Sequence, residues 1–144
     1  EDNPDQLAAL LSRVHGLRVR YVRTDEPRHF SREWAASALA DGQPVDWGVD
    51  PASGEMVRGS FSDLVGDELT RAIANGETSC NRLATGAAPH VADVPDSEVN
   101  LNFVSVHLPA TEDLGVDWVT WTIGFTFEEG RVKIATLNRY VWEG

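Results

Sequence analysis

A chain of 144 residues, 42% of them hydrophobic, is long enough to bury roughly two-thirds of its unfolded surface as one domain over residues 1–144, so no disulfide is needed and the lone Cys80 could not form one. Twenty-three acids against 12 bases leave a net charge of -11, which works against binding DNA or RNA. No Cys-x-x-Cys or His-rich cluster offers a metal site and no apolar run is long enough to span a bilayer, so the expectation is a cytoplasmic protein with no cofactor; Glu1 in first position points to a trimmed start or leader and leaves a secreted form open.

In chain order, Asn3 or Asp5 can cap a helix starting near Pro4. Leu7, Leu10, Leu11, Val14, Leu17 and Tyr21 follow at spacings of three and four as its buried stripe, and Pro27 ends it. The basic run from Arg13 to Arg32 then reads as that helix's solvated face. Ser31, with Glu33 and Trp34, starts a second short helix that stops at Asp41 and Gly42. Residues 44–51 and 55–60 form a small hairpin around Ala52, Ser53 and Gly54. A third helix runs from about Phe61 to Ala74, capped by Ser60 or Ser62 and ended by Asn75 and Gly76. Residues 78–91 and 99–110 carry strand pattern. Last comes a long hairpin, Val119 to Phe127 against Val132 to Tyr140, turning at Glu128, Glu129 and Gly130. Helices first and strands after predict an α+β domain: a curved antiparallel sheet with three N-terminal helices on one face and the other face wet.

Four stretches together resemble the SnoaL-like branch of the superfamily that contains nuclear transport factor two, ketosteroid isomerase and scytalone dehydratase. They are Arg20 to Asp25 (RYVRTD), Leu39 to Pro51 (LADGQPVDWGVDP), Met56 to Leu69 (MVRGSFSDLVGDEL) and Phe125 to Trp142 (FTFEEGRVKIATLNRYVW). The resemblance implies a cone-shaped α+β fold with the helices on the concave side and a pocket inside. It does not by itself imply an activity, since the superfamily holds enzymes, binding modules and oligomerisation domains.

Tyr21 and Asp25 lie four apart at the expected end of the first helix and can project towards one space. The resemblance makes them the Tyr and Asp with which related dehydratases polarise or deprotonate substrate, one residue closer together than in the family pattern. The alternatives are a core Tyr21 with its hydroxyl at the rim and an Asp25 that caps the turn before Pro27. The stretch from Val49 to Ser60 resembles the segment of ketosteroid isomerase that carries its general base, which implies that role for Asp50; against an apolar cavity near Trp47 its carboxyl would titrate high, whereas the plain reading is an Asp opening a turn before Pro51. Asp46 is the fallback on the same face. On the strand 99–110, His107 shares a face with Leu101, Phe103 and Ser105, either inside the cone as acid or base or on its rim. His15, His29 and His90 read as solvated, and Cys80 as a small buried residue.

Neither family catalytic set is complete. The second acid of ketosteroid isomerase falls on Ile123, and the dehydratase His falls in Ser79-Cys80-Asn81. Five tryptophans are many; Trp118 and Trp121, three apart, face opposite sides, so that one can line the cavity while the other meets solvent or a two-fold partner. The resulting expectation is a small dehydratase, isomerase or cyclase, a homodimer, acting on a hydrophobic molecule with Asp50 or Asp25 as base and Tyr21 as hydrogen-bond donor. Its alternatives are a non-catalytic small-molecule-binding or dimerisation module, and a cavity that only shapes a substrate for cyclisation.

Overall fold

The structure, a computed structural model, describes residues 8–86, 95, 98, 101–111 and 114–142. Its centre is a six-stranded mixed sheet in the order β2-β1-β8-β7-β6-β5, with a separate two-stranded sheet, β3-β4. The strands are β1 Leu17–Arg20, β2 Arg28–Phe30, β3 Pro44–Val49, β4 Met56–Ser60, β5 Glu77–Cys80, β6 Asn102–Leu108, β7 Val119–Glu128 and β8 Arg131–Val141. Residues 8–10 are helical; helix α1 is Arg32–Asp41, and helix α2, Asp67–Asn75, continues a π-helical turn at Ser62–Gly66.

The terminal hairpin forms as its alternation and turn residues dictate. Val119 pairs Val141 and Phe127 pairs Val132, and Glu129 and Gly130 both take positive φ, the geometry whose twist matches two right-twisted strands. Helix α1 is capped by the Ser31 hydroxyl, which accepts from Trp34 N at 3.1 Å, and ends at Gly42 with φ 69°. Ser60 caps the π turn through Asp63 N at 3.0 Å. Gly76 is needed for close approach: a Cβ there would stand 2.5 Å from Ala72 O and 2.7 Å from His107 O.

Several expectations are corrected. The first helix does not reach Pro27. Beyond residue 10 the chain turns, Gly16 takes φ 67°, and residues 17–20 form β1, parallel to β8 through Val19 and Leu137, so the sheet is mixed rather than antiparallel. Leu17 and Val19 are buried while Arg18 and Arg20 share the opposite face, a period of two; Val14, on the supposed helical stripe, is 73% exposed. Arg18 and Arg20 are therefore half-buried strand residues, not a solvated helix face. The sheet is also open, with β2 and β5 as its edges, rather than closed into a cone. Finally, the strand expected over 78–91 stops at Cys80: Asn81 takes φ 54° and turns the chain off the sheet while its side-chain oxygen accepts from Phe103 N at 2.9 Å. Its tail, 87–91, lies outside the described residues, as do Val99 and Asn100.

One face of the sheet carries the apolar core, with Val19, Trp121 and Leu137 packed under Trp47, Phe61, Val65 and Ala72. The other, expected to be wet, is buried too. Ser105, Thr120, Thr122, Thr136, Asn138 and Tyr140 are all at most 4% exposed. Residues 82–86 and Glu98 cover it through hydrogen bonds: Thr120 Oγ1 donates to Ala84 O at 2.7 Å, and Asn138 Nδ2 to Glu98 Oε1 at 2.8 Å. A hydroxyl pattern reads as solvent-facing in sequence, yet is equally at home in a layer where each group finds a partner.

Candidate functional site

Glu68 lies on the inward stripe of α2, four residues before the fully buried Ala72. Across from it Arg139 extends from the apolar face of β8, between Leu137 and Val141. An inward-facing guanidinium needs a carboxylate, and Glu68 supplies it in a two-pronged pair, Arg139 Nε to Glu68 Oε1 at 2.6 Å and Nη2 to Oε2 at 3.2 Å. Trp121 Nε1 donates to the same Glu68 Oε1 at 2.9 Å. The guanidinium also lies over the Tyr21 ring, 4.3 Å from its centroid, and that ring packs beside Trp47 and edge-on to Trp121.

This network floors a cleft of about 650 Å³ between α2, the turn after β1, the β3-β4 turn and the ends of β7 and β8. Val57, Val119, Val141, Trp118 and Trp142 give it apolar walls; Arg71 and Asp117 also line it, with Asp50, Pro51 and Ala52 at one side. Burial raises the Tyr21 pKa, with the Arg139 charge pulling it down and the Glu68 charge pushing it up. The hydroxyl is thus held neutral, and it has no hydrogen-bond partner among the described residues.

Of the residues singled out from sequence, Tyr21 and Asp50 share this cleft. Asp50 does open the turn, its Oδ1 accepting from Ala52 N at 2.8 Å while Oδ2 has no partner among the described residues. Asp25 does not join them. Its carboxylate accepts from Val49 N at 3.0 Å and Glu26 N at 2.7 Å, and these bonds, that from Val49 foremost, hold its pKa below the usual carboxylate range, opposite to what a desolvated base requires. It ties the turn to β3: Gly48, at φ 127°, exists there because a Cβ would stand 2.5 Å from Asp25 Oδ2. The fallback Asp46 is exposed and pairs Arg58 at 3.6 Å.

His107 lies on the opposite, polar face of the sheet. Thr120 Oγ1 spends its one proton on Ala84 O, so at its 2.8 Å contact with His107 Nδ1 it accepts, which places the ring proton on Nδ1. Burial lowers the His107 pKa against the charge of Glu77. Cys80 is exposed on the edge strand β5, contrary to the buried reading; His15 and His29 are exposed, and His90 lies outside the described residues. Ile123 lines a second, apolar cleft of about 350 Å³ between α1, α2 and β7-β8. Among the described residues no group of His, Cys, Asp and Glu could hold a metal ion.

Trp118 and Trp121 do face opposite sides, but both are buried, at 2% and 0% exposed, so neither meets solvent. Glu68 and Arg139 were not singled out in the sequence. Their signal is there all the same: each is a charge at a position whose neighbours in period, three or four on the helix and two on the strand, are apolar.

No family model matches the chain, and no curated protein matches it. A solved structure titled Rd1NTF2_05, in a form with five substitutions, is similar at 12% identity over 96% of this chain and 83% of that one, with a TM-score of 0.36. Its title carries the name of the fold that the four sequence stretches resemble; a likeness at that TM-score carries no functional reading.

Proposed function

We propose that this chain is a small-molecule-binding domain whose ligand sits in the cleft beside Tyr21. The observation that supports it is the pairing of apolar, tryptophan-bearing walls with a neutral Tyr21 hydroxyl left without an internal partner, the usual make-up of a ligand pocket. The hydroxyl opens onto the cleft, where it can donate to an external acceptor. Glu68 and Arg139 neutralise each other and act as a rigid floor rather than as acid and base. The ligand has an apolar body, which suits the valines and tryptophans of the wall. N-phenyl-1-naphthylamine, which fluoresces when desolvated, tests this. Saturable one-to-one binding is expected, weakened at least about tenfold by Val57→Phe and by Val141→Phe, which fill the cleft from two different strands. Thr70→Phe, at the other cleft, should leave it intact; binding that only Thr70→Phe abolishes, or no binding, overturns the proposal.

A second reading is a dehydratase, isomerase or cyclase with Asp50 as base and Tyr21 as donor. It is favoured by one observation, the partnerless Asp50 Oδ2 in the same cleft as the Tyr21 hydroxyl. On this reading Asp50→Asn lowers turnover of ligands recovered from the purified protein by at least about 10², the lower end for general acid–base catalysis. If Asp50→Asn leaves those ligands unconverted by either protein, the binding reading stands alone.

A further inference from the structure

The carboxylates around the cleft are largely engaged within the fold. Glu68 is held by Arg139 and Trp121. Both Asp117 oxygens accept from Thr111 N, at 3.0 and 3.1 Å, and Oδ2 also takes the Thr111 hydroxyl. Asp50 keeps one free oxygen, yet it forms no ion pair with any described residue. Against this set stands Arg71, one turn beyond Glu68 on α2. Its guanidinium has neither a carboxylate nor a hydrogen-bond partner among the described residues, and it lines the same cleft as the Tyr21 hydroxyl. An exposed arginine on a helix is often merely solvated. Here two partnerless donors, one on α2 and one after β1, border one tryptophan-walled space in a protein whose net charge of -11 would otherwise repel anions.

We infer that the cleft is selective for an organic anion, an aromatic body bearing a carboxylate or similar acidic group, with Arg71 and the Tyr21 hydroxyl receiving the acidic group and Trp118 and Trp142 flanking the ring. The inference rests on the binding reading above and adds the ligand's charge. A guanidinium is the group best shaped for an oxyanion, and a neutral phenol lining the same cleft offers a second donor without adding charge.

Two probes differing only in the acidic group separate this claim from its premise: 8-anilinonaphthalene-1-sulfonate and uncharged N-phenyl-1-naphthylamine, titrated into the full chain by fluorescence. The sulfonate should bind at least about fivefold more tightly, a ratio expected of one partly exposed charge contact. Arg71→Gln should bring the ratio of the two affinities close to one, Arg71→Lys should restore part of it, and added salt should lower it in the wild type and in Arg71→Lys but not in Arg71→Gln. Equal affinities in the wild type, or a preference that Arg71→Gln leaves in place, overturn the anion claim while the binding reading survives. Absence of binding by both probes, or binding indifferent to Val57→Phe and Val141→Phe, overturns the binding reading and the anion claim with it.

Discussion

Arg139 and Glu68 are each less than one-fifth exposed, so the energetic question at this pair is what happens when one partner is removed. Arg139→Met leaves a carboxylate facing Trp121 and the Tyr21 ring with no counter-charge, and the expected loss in urea unfolding is about 3 kcal/mol. A loss under about 0.5 kcal/mol, the scale of a surface pair, would show the pair to be solvated. Gly48 gives a second test. Gly48→Ala meets both a positive φ and the Asp25 carboxylate, so it should destabilise by more than about 1 kcal/mol. Adding Asp25→Ala should recover only the steric part, and full recovery would mean that the backbone there is not strained. These residues also show what the sequence could and could not disclose. Tyr21 and Asp50 were singled out from stretches that resemble a known family, and both line the cleft although the helix expected to carry Tyr21 is a strand. Asp25 could be read as a base or as a turn cap, because the Val49 N–H that it accepts from is 24 residues away in the chain. Arg139 and Glu68, 71 apart, could be flagged only as charges in apolar registers, and nothing local names one as the other's partner.

At the scale of elements, α1 and α2 were readable from their caps and terminating residues, and the β3-β4 hairpin and the closing hairpin from their strand pattern and turn residues. The first segment was not. Leucines at spacings of three and four fit a helix, and the competing signals, Gly16 and the alternation from Leu17 to Arg20, gain their force from a parallel pairing with β8 more than a hundred residues away. What holds that segment down is Glu128, at the end of β7, which accepts from the Ser12 hydroxyl, from Arg13 N at 2.8 Å and from the Thr126 hydroxyl at 3.0 Å. The Ser12 bond is the largest cause of a Glu128 pKa lowered from 4.5 to about 2. A carboxylate whose folded pKa is depressed stabilises the fold fully above its unfolded value, and that contribution is lost as pH falls through the folded one. The Tm difference between wild type and Glu128→Gln should accordingly be constant above about pH 5 and shrink as pH falls from 4.5 towards 2. A difference that does not change over that range would place these bonds outside the stability of the fold.

For the whole molecule, the sheet carries an apolar layer on one face and a hydrogen-bonded polar layer on the other, and its tryptophans at 118 and 121 are buried in these two layers, Trp118 with an edge at the cleft. The two-fold assembly expected from sequence rested on one of them being exposed. Without that premise, light scattering of the purified chain should give the mass of a single copy, and twice that mass would require an interface elsewhere on the surface. The central claim is that ligands enter the cleft floored by Tyr21, Glu68 and Arg139. Amide and indole NMR shifts recorded during titration with 8-anilinonaphthalene-1-sulfonate test it most directly, since each resonance reports its own position. The expected result is saturable perturbation of Val57, Glu68, Arg71 and Arg139 amides and of the Trp118 indole. Perturbation confined to Leu11, Ala35, Ile123 and Ile134 on the other cleft, or none at all, would contradict the claim.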